Sequence, residues 1–144
     1  MANFKDRASK ALKGGGQYIT WPRHLLIEIL ANMSSPMSTC ELHEQLRSQN
    51  MGHGSIDTVQ RLVRLLKERR CLYCVGALDG KFWRRDIEGP TILLIDQNAN
   101  TVEEIADVPE SFVYVATRAA AYGYKVLSDQ REVCVVPMPP REEG

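Results

Sequence analysis

The chain changes its hydrophobic period at residue 71, and that change constrains the fold more than any other feature. Upstream, three segments repeat apolar residues at helical spacing; downstream, Asp79-Gly80 separates two β-prone runs, 71–78 and 81–85. An Asp-Gly pair supplies the positive φ values that a tight hairpin turn needs. The first helical segment follows Thr20, a candidate N-cap, and has Pro22 in its first turn, where a missing N–H costs little. It carries Leu26, Ile29, Leu30 and Met33 at i, i+3, i+4 and i+7, and Ser34-Ser35-Pro36 stops it. Ser38 and Glu41 then form a capping box for a second helix with Leu42 and Leu46 inward, ended by the turn at 49–54. The third starts at Ser55 or Asp57, runs to about Arg70 and turns Val59, Leu62, Val63 and Leu66 to one side. Three helices followed by a hairpin describe a winged helix-turn-helix.

The flanking segments have other rhythms. Residues 1–17 read as a short polar helix or a flexible arm, broken at Gly14-Gly15-Gly16. Beyond the hairpin, 91–96 and 101–105 read as strands around a turn at 97–100. Pro109 opens a helix through Phe112, Val115, Ala116, Ala119 and Ala120, which Gly123 ends. Residues 124–128 and 132–136 read as strands around Asp129-Gln130, and the tail 138–144 is expected to be disordered. The expected class is α+β, with an N-terminal winged helix-turn-helix over 18–88 and a small α/β unit over 89–137.

Of the 144 residues, 44% are hydrophobic and 25% charged, the balance of a folded domain and not of a disordered chain. Runs such as Ile92-Leu93-Leu94-Ile95 are far shorter than the ~18–20 residues a membrane span needs. The polar N-terminus lacks a signal-peptide core, so a cytoplasmic location is expected. The four cysteines lie in mostly apolar segments, as buried thiols do. Net charge is zero, but the average conceals two opposed halves. Residues 1–88 hold 14 Lys and Arg against 9 Asp and Glu, whereas 89–144 hold 4 against 9. A basic half joined to an acidic half suggests two modules, one with an anionic partner.

An α-helix fits the DNA major groove, where base edges are read by side chains with fixed donor–acceptor pairs. On the third helix Gln60, Arg61 and Arg64 lie together opposite the apolar stripe. Gln suits an adenine edge, while Arg forks onto guanine or pins a phosphate. Ser55 and Thr58 at the helix start suit phosphates, and Lys81, Arg84 and Arg85 are placed where a wing touches the backbone. The competing interpretation is a solvated outer face, which any amphipathic helix carries.

These residues resemble the ferric uptake regulator family. The likeness runs from Ala11-Leu12-Lys13 through Ile19-Thr20-Trp21-Pro22-Arg23 and Ile27-Glu28-Ile29-Leu30. It continues over 38–46 and over Thr58-Val59-Gln60-Arg61-Leu62, similar to that family's recognition helix. It is good over about 11–86 and weaker through 91–105, 111–123 and 124–136, where the family has its dimerisation domain. The resemblance implies a dimeric bacterial transcription regulator that binds a palindromic operator on double-stranded DNA. It adds Arg23, which matches the Arg of the family's Thr-x-Pro-Arg motif, and supports Arg61. Gln60 replaces the family's Tyr, and Tyr18 replaces a basic residue; both departures bear on base preference.

The family senses metal through His and acidic residues, and many members hold zinc in paired Cys-x-x-Cys motifs. Here the segment after the wing reads Asp86-Ile87-Glu88-Gly89-Pro90, and the first Cys-x-x-Cys position reads Ile95-Asp96-Gln97-Asn98-Ala99-Asn100. No His follows His53, and Cys134 is the only cysteine after Cys74. No metal and no cofactor are expected. Cys71-Leu72-Tyr73-Cys74 lacks a second pair, and strand residues three apart face opposite sides. Cys40 and His43 supply half a site, most simply as a packed Cys beside an exposed His. A thiol switch at Cys71 or Cys74 would need an exposed thiol of low pKa. No phosphate loop, Gly-x-Ser-x-Gly or His-Glu-x-x-His is present, so an enzyme is not expected. The alternative is a protein-interaction module that pairs with another regulator without reading DNA, favoured by Gln60, Tyr18 and the neutral net charge.

Overall fold

The computed structural model describes residues 3–14 and 20–140. Gly15, Gly16, Tyr18 and the tail beyond 140 lie outside the described residues, as do the expectations attached to them. The elements run α1 (Phe4–Gly14), α2 (Trp21–Asn32), α3 (Thr39–Gln49), α4 (Ile56–Glu68), β1 (Leu72–Val75) and β2 (Lys81–Arg84). Then come β3 (Thr91–Asp96), β4 (Thr101–Ala106), α5 (Pro109–Ala121) and β5 (Gln130–Cys134).

The helices form where the caps and apolar stripes place them. At the start of α3 the Ser38 hydroxyl accepts the Glu41 N–H at 3.1 Å, and the Glu41 carboxylate accepts the Ser38 N–H at 3.0 Å. Both bonds satisfy donors that the first helical turn leaves orphaned. At α4 the Ser55 hydroxyl accepts the Thr58 N–H at 3.2 Å. Thr20 stands at the N-cap of α2 but makes no side-chain cap bond. The stripe of α4 is buried throughout, with Val59, Leu62, Val63 and Leu66 each at most 4% exposed. α1 is a packed helix: Phe4, Ala8 and Leu12 join the core of α2, α3 and α4.

The wing departs from a two-residue hairpin. β1 pairs antiparallel with β2 in the register Leu72↔Arg84 to Val75↔Lys81, so the loop spans 76–80. Leu78 is drawn into the core and bends 76–78 into a 3-10 turn. Asp79 (φ 56°) and Gly80 (φ 77°) still supply the left-handed residues of the reversal. Met37, between α2 and α3, exchanges two backbone bonds with Phe82 (3.1 and 2.8 Å) and fastens the wing to the helices.

The second half is a three-stranded sheet in the order β4-β3-β5, with β3 antiparallel to β4 and parallel to β5. β3 alternates: Thr91, Leu93 and Ile95 are buried, while Ile92, Leu94 and Asp96 are half-buried. The expected strand over 124–128 does not form, and the last strand begins at Gln130 instead of Glu132. β3 has β4 on one side and β5 on the other, so no edge beside it remains for 124–128. α5 contributes no buried residue. No helix among the described residues is long and apolar enough to cross a membrane.

Candidate nucleic-acid interface

α4 presents its polar face because its apolar stripe is consumed by the core. Gln60, Arg61 and Arg64 are all exposed on that face. Arg23, one turn into α2, joins Arg61 and Arg64 around a hollow of about 190 Å³ floored by Leu12, Leu62 and Leu65. Three arginines from two helices thus line one surface hollow. Arg61 lies 3.1 Å from Asp57 in an i, i+4 pair whose partners are 70% and 62% exposed. Such exposed helix pairs are worth only ~0.3–0.5 kcal/mol, less than the ~1–3 kcal/mol of a good base contact, so Arg61 can exchange Asp57 for DNA.

The other residues read from the sequence have different situations. Ser55 and Thr58 share a 2.9 Å hydroxyl–hydroxyl bond inside the cap, at the end of α4 where backbone N–H groups emerge. Lys81 leans toward Glu41 at 3.7 Å. Arg84 does not line that hollow: it donates to the Met33 carbonyl at 2.8 Å, lies 3.5 Å from Asp86 and stacks 4.6 Å over Trp83. Trp21, two residues before Arg23, is 62% exposed and stacked on His24 with ring centroids 5.6 Å apart, an exposed neighbour that sequence reasoning did not single out. An aromatic residue directly after an N-cap was the signal available.

The junction between the halves is polar and internally satisfied. Arg85, only 5% exposed, donates to the carbonyls of Ile87 (2.9 Å) and Gly89 and lies 3.4 Å from Asp129. Glu104 accepts the N–H groups of Asp86 (3.0 Å) and Ile87 (3.2 Å) and receives the Tyr73 hydroxyl. Burial first, with the Glu104 bond adding to it, pushes the Tyr73 phenol well above the usual range. Asp129 also takes Arg70; burial opposes its charge, but the Arg85 and Arg70 guanidiniums prevail and lower its pKa. Glu132 accepts the N–H groups of Gly76 (3.1 Å) and Ala77 (2.9 Å), joining β5 to the wing loop.

This donor set does not fit a metal ion. Among the described residues no three His, Cys, Asp or Glu side chains are grouped for coordination. The pair Cys40 and His43 reverses the expected packing: Cys40 is exposed, and His43 is half-buried with Nε2 3.0 Å from the Gly54 carbonyl. Cys71 is buried and Cys74 has its Sγ 3.5 Å from the Gly80 carbonyl; all four cysteines are free thiols. Burial raises the Cys71 pKa against the opposing charges of Arg7 and Arg85, the reverse of what a reactive thiol requires.

No protein-family model and no curated protein matches the chain. Solved structures do. A zinc uptake regulator complexed with zinc and DNA superposes with a TM-score of 0.75 at 16% identity, over 92% of this chain and 89% of that one. A zinc-bound manganese uptake regulator gives 0.61 at 21% identity, over 92% and 99%. The Helicobacter pylori ferric uptake regulator, described with three functional metal-binding sites, gives 0.61 at 17% identity, over 94% and 93%. Identities this low speak for architecture: the chain has the α+β fold of the metal uptake regulators over nearly its whole length.

Proposed function

We propose that this protein is a sequence-specific DNA-binding transcription regulator of the ferric uptake regulator type that works without metal. The observation that carries this reading is the grouping of Arg23, Arg61 and Arg64 around one hollow on the outer face of a winged helix-turn-helix. In this reading α4 enters the major groove, with Gln60 and Arg61 at base edges and Arg23 and Arg64 on phosphates. Residues up to about 88 form the reading unit and 89–137 the pairing unit. A homodimer then sets two α4 helices on half-sites of a palindrome one helical turn apart, or a multiple of it. Dimer formation draws support from the second half, where Val113, Tyr114, Tyr122 and Val133 are all at least 45% exposed. Metal independence draws support from the junction, where Arg85 and Glu104 hold the backbone of 86–89, the segment at which the sequence likeness would place metal-binding histidines.

Selection of bound duplexes from a random library, with purified protein in chelator, tests the reading. Enrichment of an inverted repeat is expected. No motif in chelator but one with added divalent metal would overturn metal independence. No motif in either, from folded dimer, would favour the protein-interaction alternative.

A further inference from the structure

A second basic concavity shares no lining residue with the hollow on the α4 face. It is a cavity of about 610 Å³ between α1, the end of α4 and the 85–89 linker. That volume falls within the range of small-molecule sites. Five cations line it, Arg7, Lys10, Arg69, Arg70 and Arg85, against one carboxylate, Glu88. The α4 dipole accounts for cations at Arg69 and Arg70, but it does not bring Arg7 and Arg85 to the same walls.

The internal pairs leave a surplus. Arg7 donates to the Arg85 carbonyl and lies 3.6 Å from Asp86. Arg70 and Arg85 share Asp129. Adding Arg84, which shares Asp86, and counting Asp86, Glu88, Glu104 and Asp129 as the nearby anions, six positive charges face four negative ones. Lys10 and Arg69 make no ion pair among the described residues.

We propose that this cavity binds a small dianionic oxyanion ligand, a phosphate or dicarboxylate metabolite, with Lys10 and Arg69 as its principal contacts and buried Arg85 at its back. Two negative charges match the surplus, and oxyanions accept the charge-assisted hydrogen bonds that guanidinium and ammonium groups donate. Because the walls come from α1 and from the linker to the sheet, a bound anion cross-links the helical core to the junction.

The test titrates the labelled full chain at about pH 7.6 with inorganic phosphate, there mostly the dianion, with succinate and with neutral succinamide, reading amide shifts by NMR at physiological ionic strength and without DNA. Saturable shifts around Lys10, Arg69 and Gly89 with one or both dianions, and none with succinamide, are expected. Which dianion binds tells phosphate from carboxylate. Lys10→Ala with Arg69→Ala should weaken binding roughly tenfold or more, while Arg61→Ala leaves it unchanged. Absence of shifts with both dianions at millimolar concentration would overturn the proposal. So would shifts centred on Arg23, Arg61 and Arg64, which would mean the anions merely occupy the α4 face. If the double variant lowers DNA affinity and leaves anion binding untouched, the cavity cations contact nucleic-acid phosphates instead. No DNA enters the anion titration, so its failure is separate from failure of the regulator reading.

Discussion

The two halves of the molecule solve the burial problem differently. Before residue 84 four helices and a hairpin enclose a core that supplies nearly every buried apolar side chain; among the described residues the second half adds only Leu93 and Ile95. Its helix α5 half-buries Phe112, Val115, Ala116 and Ala119 but fully buries no residue, and Tyr114, Tyr122, Tyr124, Leu127 and Val136 are each at least 66% exposed. The first half is complete as a single chain. The second leaves apolar side chains of the kind that a second copy would cover, which is the premise of the proposed dimer.

The sharpest way to break this contrast is to cut into each half equally. Leu66→Ala, at a fully buried position of α4, should cost about 2–5 kcal/mol in urea unfolding, whereas Leu127→Ala, 91% exposed, should cost under about 0.5 kcal/mol in a dilute, monomeric sample. Equal losses would refute the asymmetry. Next in size, Tyr114→Asp should weaken self-association by about 2 kcal/mol or more in sedimentation, with little change in helix content. A monomer at every concentration in the parent chain would remove the premise. Arg61→Ala should then weaken operator binding by about 1–3 kcal/mol without altering stability or dimerisation, and unchanged affinity would take Arg61 out of the interface.

The smallest effect probes the seam between the halves. The pKa of Asp129 is lowered in the fold, so its ion pairs with Arg70 and Arg85 contribute fully above the unfolded carboxyl value of ~3.9 and are lost as pH falls through the lower folded value. Asp129→Asn should therefore be less stable than the parent at neutral pH, by about 1 kcal/mol or less at this partly exposed site. The gap should close in acid. A gap that acidification does not narrow would assign the effect to packing.

Much of the first half was legible in the sequence because its signals are local. The Ser38–Glu41 box, the Ser55 cap and the stripe of α4 each depend on residues within one or two turns. Arg61 and Arg64 followed from the same periodicity, since the face opposite Val59 and Leu62 had to be exposed, whereas Arg23 on α2 came only from the family resemblance. Arg84 shows where such reasoning stops. Alternation with buried Trp83 places it on the far side of the wing, but only the tertiary fold puts the Met33 carbonyl there. The unformed strand at 124–128 fails for a related reason. Its composition allows a strand, but β5 pairs in parallel with β3 instead of turning back on 124–128, and the run joins neither outer strand of the sheet. The junction clamp was illegible: Tyr73, Arg85, Glu104 and Asp129 are scattered in sequence and meet only through folding.

The bare face of α5 also bears on how the protein would respond to its own abundance. If the second half closes only against another copy, pairing of the α4 helices follows mass action in chain concentration. Well below the dimer's dissociation constant, the dimer population rises as the square of that concentration, so a threefold change in synthesis gives about a ninefold change in paired readers. Gene dosage and protein turnover would then act as the control dial, with its working concentration set by the apolar side chains of one helix.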